Sequence, residues 1–449
     1  MRPAVLPLLA TLTFPLAAQG PGPGAVLLDS IAQGASAARL ERDIRTLAGF
    51  GTRHTLSDTV SATRGIGAAR RWILAEFQRI SAACGGCLDV RYVRGMVSGA
   101  PNTRYLRDTE VVSVIAIQWG TTHRDRWVMM SGDIDSRISD VNNATDDSPG
   151  ANDNATGMAG ALEAARLLTP HRFGKTIVYA GLAGEEQGLT GGEILAAMMA
   201  DSGWTPEAVL NNDMIGNIAG INGVVDSREF RIFSEPVSPV ETEAERRARR
   251  SYGGEVDGAS RQLARYVARL TTEHFPDLEP KLIYRLDRFG RGGHHRPFSD
   301  RGWPAVRVME AHEHYDRQHQ DLRTENGRQY GDVIDFVHFG YVARLTGVNA
   351  VVLAALASAP PPPVAVRLRG AVSSSTTISW RPGEGDQVAG YRVYWRDTTA
   401  PQWTWSRWVP AGTTSLELEG VIIDDYLFGV ASVSPLGTES LVQFPSFGR

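Results

Sequence analysis

Short apolar runs that end in acidic side chains constrain this chain more than any other feature. Trp127–Ser131 leads into Gly132-Asp133-Ile134-Asp135, Thr176–Ala180 runs on towards Glu185-Glu186, and Ala208–Leu210 leads through two asparagines to Asp213. A fourth run is Pro304–Met309. Runs of this length alternating with helical patterns indicate an α/β fold with a largely parallel sheet. In open sheets of this kind ligands bind beyond the carboxyl ends of the strands. Asp133, Asp135, Glu185, Glu186 and Asp213 can therefore converge on one crevice although they are far apart in sequence.

The stretch Pro149–Leu168, PGANDNATGMAGALEAARLL, adds another acid at a matching place. Met158, Ala161, Leu162, Ala165 and Leu168 fall on one face of an amphipathic helix. Asn154 or Thr156 can cap it. Asp153 thus sits just before a helix start, where an acid on its own reads as part of a cap.

The rest of the chain sets the frame. Ala4–Ala18 is apolar, follows Arg2 and ends in small residues, so residues 1–18 read as a secretory signal peptide. The chain has two cysteines, Cys84 and Cys87, which an exported protein would join in a local disulfide. Leu28–Ile80 reads as helix, loop, helix, with His54 a structural or surface residue of the intervening turn. The charge run Glu241–Arg250 reads as a solvated helix face, and Tyr330–Ala357 as a long helix closing the domain. A net charge of −4 gives no nucleic-acid footprint, and no apolar run is long enough to span a bilayer. Ala359–Pro363 is a stiff linker. Beyond it, short alternating runs (Thr377–Trp380, Gly390–Trp395, Ser415–Leu418, Tyr426–Ser434) predict an all-β sandwich. Trp380, Tyr391 and Tyr426 within it resemble the fibronectin type III pattern.

Adjacent carboxylates after a buried strand, such as Glu185-Glu186, are costly if charged and unpaired. They are either two exposed loop acids or a metal ligand beside a general base. The order of GDxDS, PGANDNATG, AGEEQGLTGG, NNDMIG, HxxPFxxxGxPAVRxxE and RQHQDLRT resembles metallopeptidase family 28 over about Arg39–Ala357. The resemblance implies a three-layer α/β/α domain over residues 25–358, which the linker at 359–363 separates from the sandwich read at 364–449.

It also implies a secreted exopeptidase acting on peptide substrates, most simply an aminopeptidase, with two divalent metals. Asp153 matches the bridging ligand, Glu185 the general base, Glu186, Asp213 and His319 further ligands, and Asp135 the acid that orients the first ligand. His295 and Phe298 match the substrate pocket. His312 and His314 read as pocket-rim or surface residues. Where the family has a histidine as first ligand, this chain has Asp133. Zinc is expected at Asp153, Glu186 and His319. The all-oxygen set Asp133, Asp153 and Asp213 leaves zinc, manganese, magnesium or calcium open. The Asp133 departure also admits a catalytically impaired binding protein, or a single-metal acyltransferase similar to glutaminyl cyclase.

Overall fold

Eight strands form the central sheet: β1 Asp89–Val97, β2 Thr109–Gln118, β3 His123–Asp133, β4 Lys175–Leu182, β5 Thr205–Asn212, β6 Glu229–Ser234, β7 Glu279–Ile283 and β8 Ala305–Glu310. Their order is β1-β2-β4-β3-β5-β8-β6-β7. The centre, β4-β3-β5-β8, is parallel throughout, and antiparallel pairs flank it. The computed structural model describes residues 23–253, 257–385 and 388–445. Residues 1–18, read above as a signal peptide, lie outside the described residues.

Helices cover both faces, which explains why the central strands read as unbroken apolar runs. They are α1 Pro23–Gly34, α2 Ala37–Ala48, α3 Gly65–Ala83, α4 Ala155–Leu168, α5 Thr190–Asp201, α6 Glu243–Tyr252, α7 Ala259–His274, the short α8 Arg296–Ser299, and α9 Phe339–Ser358. Val128 and Met130 of β3 pack with α4, α7 and α9 in one core. Their neighbours Trp127 and Met129 point the other way, into a core with Leu195, Ala196 and Met199 of α5. The period of two thus divides one strand between two cores.

Some expectations need correction. The N-terminal helix–loop–helix is three helices. The helix expected from Tyr330 begins at Phe339, capped by the His338 side chain. Before it runs a two-stranded hairpin, β9 Arg323–Glu325 and β10 Arg328–Tyr330. Helix α9 is long and apolar enough to cross a membrane, but it is a buried core helix. The charge run forms α6 with no buried residue, opened by a Thr242–Glu245 capping box. Cys84 and Cys87 are joined.

After the linker come β11 Val364–Arg369, β12 Thr376–Arg381, β13 Gly390–Asp397, β14 Trp405–Pro410, β15 Ser415–Leu418 and β16 Tyr426–Val433. They make two antiparallel sheets, β11-β12-β15 and β14-β13-β16, around Ile378, Trp380, Tyr391, Val393 and Phe428. Ion pairs fasten them to the larger domain. Arg396 of β13 meets Asp257 at 2.6 Å, and Arg269 of α7 meets Glu439 at 3.5 Å.

Candidate metal centre

Asp133 is the last residue of β3, Asp213 follows β5 directly, and Glu185 and Glu186 lie in the loop after β4. All four are at the carboxyl edge of the parallel strands. Asp153 reaches the same edge from the turn before α4. Two glycines make that approach possible. A Cβ on Gly132 would lie 2.2 Å from the backbone of Gly157, and one on Gly157 would lie 2.1 Å from the Asn212 carbonyl. The start of α4 therefore rests on the ends of β3 and β5. Asn154 caps it, its side chain accepting from Gly157 N–H, while its amide donates to Asp133 Oδ2 at 2.6 Å.

His319 comes from the loop after β8 and meets two of these acids. Its Nε2 lies 2.8 Å from Asp153 Oδ2 and 2.8 Å from Glu186 Oε1. Among the described residues this is the one group of three His, Cys, Asp or Glu whose donor atoms all lie within 4.8 Å of each other. Burial alone would depress the imidazole, but Glu186 and Asp153 outweigh it and push His319 up to about 9. The same attraction holds Asp153 well below the usual carboxylate range, against its burial. Two carboxylates and one imidazole on a shared point form a donor set that suits zinc, so these residues fit the implied metal. His319 has φ +53, a left-handed backbone that a histidine adopts at some cost. Such strain persists where the surroundings over-determine it.

Neighbouring side chains hold the three members of the group in place. Asp332 accepts from the backbone N–H of Asn152 and of Asp153, at 2.8 and 2.6 Å. Gln318 donates to Asp153 Oδ2, and Arg137 donates to Glu186 Oε2 at 2.8 Å. Nη2 of Arg137 lies 2.5 Å from His319 Nδ1. Asp135 was expected to orient the first ligand. It instead accepts from the backbone N–H groups of Glu185 and Glu186, at 3.2 and 3.0 Å, and from the Thr55 hydroxyl. It sets the turn that aims both glutamates.

The remaining acids are arranged differently. Burial, then Glu186, Asp213, Asp133 and Asp153, raise Glu185 well above the ordinary glutamate range. Its carboxyl has no hydrogen-bond or ion-pair partner among the described residues, which leaves it available to a substrate or water. Asp133 Oδ1 meets His294 Nδ1 at 2.5 Å while its Oδ2 takes the Asn154 amide. Asp213 Oδ2 is ion-paired with Arg307 at 2.8 Å. Asp133, Asp153 and Asp213 do not close into a group like the first.

His295 and Phe298 do not line a pocket, contrary to expectation. Phe298 is fully buried, its ring 6.4 Å from Trp127 and 6.2 Å from Trp303. His295 is also fully buried, its Nε2 2.8 Å from the Leu286 carbonyl. The proline-bearing segment turns both side chains inwards, behind the site. His54 is likewise buried and structural, bonded to the Val141 carbonyl and Gln187. The concavity beside Asp153 is lined instead by Asn217, Glu313, His314, Arg317, Gln318 and Phe336. Sequence reasoning gave no site role to Arg137, His294, Arg307, Gln318 or Asp332. His294, Arg307 and Gln318 stand inside the quoted motifs and Arg137 adjoins one, and that placement was the available signal for them.

The model for "Peptidase family M28" matches residues 113–338. A probable zinc metalloprotease of Leptosphaeria maculans is 40% identical over 414 residues, covering 91% of this chain and 94% of its own. The LapA aminopeptidase of Legionella pneumophila shares the fold, with a TM-score of 0.53, 15% identity and coverage of 80% and 77% of the two chains. A glutaminyl cyclase of Macrostomum lignano has a TM-score of 0.50 at 14% identity, covering 73% of this chain and 91% of its own.

Proposed function

This chain belongs to peptidase family M28, and we propose that it is an exported metal-dependent aminopeptidase. Residues 25–358 form its catalytic domain, and the sheets after the linker are an appended fibronectin type III-like module. The observation that carries this reading is the meeting of Asp153, Glu186 and His319 on one point, with Glu185 beside them and free. These three residues hold the divalent cation. When bound, that cation polarises the scissile carbonyl and makes a water easier to deprotonate.

The chain's own residues supply the proton transfers. Glu185, with its proton affinity raised by burial and by neighbouring acids, takes a proton from the attacking water. It then delivers that proton to the leaving amine. Asp135 keeps Glu185 and Glu186 in register by holding both of their backbone N–H groups. The excess of carboxylates around the centre attracts a protonated α-amine, which favours the amino end of a peptide over its carboxyl end. Export is supported by the signal-like Ala4–Ala18 stretch and by the Cys84–Cys87 disulfide.

A single closed donor group also suits a one-metal acyltransferase. The near full-length similarity to a probable zinc metalloprotease favours hydrolysis. The full chain is assayed with aminoacyl, carboxypeptidase and N-terminal glutaminyl substrates. Aminoacyl hydrolysis that chelation removes and zinc restores is the expected outcome. Cyclisation of glutaminyl substrates without peptide hydrolysis would overturn the reading.

A further inference from the structure

Metals in such a site neutralise buried carboxylates, so each acid can be asked what already answers its charge. Asp153 and Glu186 share one imidazole nitrogen, and Arg137 meets Glu186. Asp213 faces a cation that it shares with Asp287. Arg307, on β8, is fully buried, and its Nη2 sits 2.8 Å from Asp213 Oδ2 and 3.2 Å from the Asp213 carbonyl. This guanidinium cannot swing away at low cost. Nη1 donates to Asp287 Oδ2 at 3.0 Å and to the Gly292 carbonyl at 2.7 Å, and Asp287 is buried too. A fork fixed on both prongs holds its position better than a long ammonium chain.

Asp133 is also committed. Both of its oxygens have partners, His294 Nδ1 on one and the Asn154 amide on the other. His294 is fully buried. Asn154 is the cap of α4, so releasing its amide would disturb the turn that places Asp153.

We infer that this chain holds one divalent cation, at Asp153, Glu186 and His319, and that the Arg307 guanidinium supplies at Asp213 the positive charge a second cation would bring. The six-motif resemblance implies two metals, and the side chains present do not fit the second. Arg307 is thus a positioning residue that fixes Asp213 and sets the metal count. The inference rests on reading the trio as a cation site, not on which reaction the site performs.

The test is a metal count on the full chain, by native mass spectrometry after equilibration with excess zinc and desalting. One zinc per chain is expected. A second zinc that Asp213→Asn removes overturns the inference, whereas one that survives Asp213→Asn lies elsewhere and leaves it standing. Arg307→Met is expected to take up a second zinc and Arg307→Lys to keep one. A folded Arg307→Met that still holds one shows that Arg307 does not set the count. Should Arg307→Met not fold, the wild-type count decides alone. A chain that binds no zinc sinks the metal centre and the proposed function together. Two zincs with intact aminoacyl hydrolysis sink this inference only.

Discussion

The carboxylates at the edge of the central sheet fall into two groups that differ in how their charge is met. Asp133 faces the buried His294, and Asp213 faces the locked Arg307, which also serves Asp287. Asp153 and Glu186 instead crowd one nitrogen of one imidazole. Burying an acid is tolerable when a fixed donor meets it, and costly when it is left short. Burial still keeps Asp133 and Asp213 above the ordinary carboxylate range, but their partners are fixed and would have to be displaced before a cation entered. The second group converges on the one nitrogen that a cation would bind in place of its proton. Glu185 belongs to neither group. It is the one acid of the cluster with no partner among the described residues, as a group that must give and take protons should be.

The largest effect that tests this division is on Glu185. Glu185→Gln should lower kcat for an aminoacyl substrate by about 10²–10⁴-fold, the usual range for losing a general acid–base. Zinc content should be unchanged, because Glu185 is outside the ligand trio. A variant that loses both activity and zinc would move Glu185 into the second group. Asp135→Ala comes next. It strips acceptors from the Glu185 and Glu186 N–H groups, and loss of such outer partners weakens metal affinity or activity by about 10–100-fold. Unchanged zinc affinity and kcat in that variant would show that the turn holds itself.

The two groups were unequally legible in the sequence. The central strands could be read because they are buried on both faces, so Trp127–Ser131 and Thr176–Ala180 show as continuous apolar runs. Asp153 could be placed because a cap and an amphipathic face fix where α4 starts. His319 has no such local signal, since its loop is irregular and its backbone left-handed. Only the order of motifs pointed to it. The partners of Asp133 and Asp213 stand inside a quoted motif, but the motif does not say which acids they meet. Nothing near Arg307 in sequence says which distant acid it meets, and a pair such as His294-His295 does not say which ring turns to the site. Phe298 was misplaced because an aromatic beside a pocket motif looks the same whether it faces the cavity or the core. The hairpin before α9 carried a signal that went unread. Asn326-Gly327, both at positive φ, joins Arg323–Glu325 to Arg328–Tyr330, and Asn-Gly is the favoured pair for a tight two-residue turn.

The smallest effect sharpens the comparison through pH. In the metal-free protein, Asp153 and Glu186 together hold a proton on His319 up to about pH 9. Both acids meet the ring at Nε2, so the imidazolium proton that they hold is the one on Nε2. A cation at the trio needs the Nε2 lone pair and must displace that proton. Proton and zinc then compete for one atom, and the sign follows. Lowering the pH below about 9 fills the site with protons and weakens zinc, by about tenfold per pH unit for a single proton displaced. Zinc affinity measured against a competing chelator should therefore rise about tenfold from pH 6.5 to 7.5. His319→Gln, which carries no such proton, should bind more weakly at pH 7.5 and lose most of that slope. If the wild type shows no slope, zinc is not displacing a proton from His319, and the trio loses the member that joins its two acids.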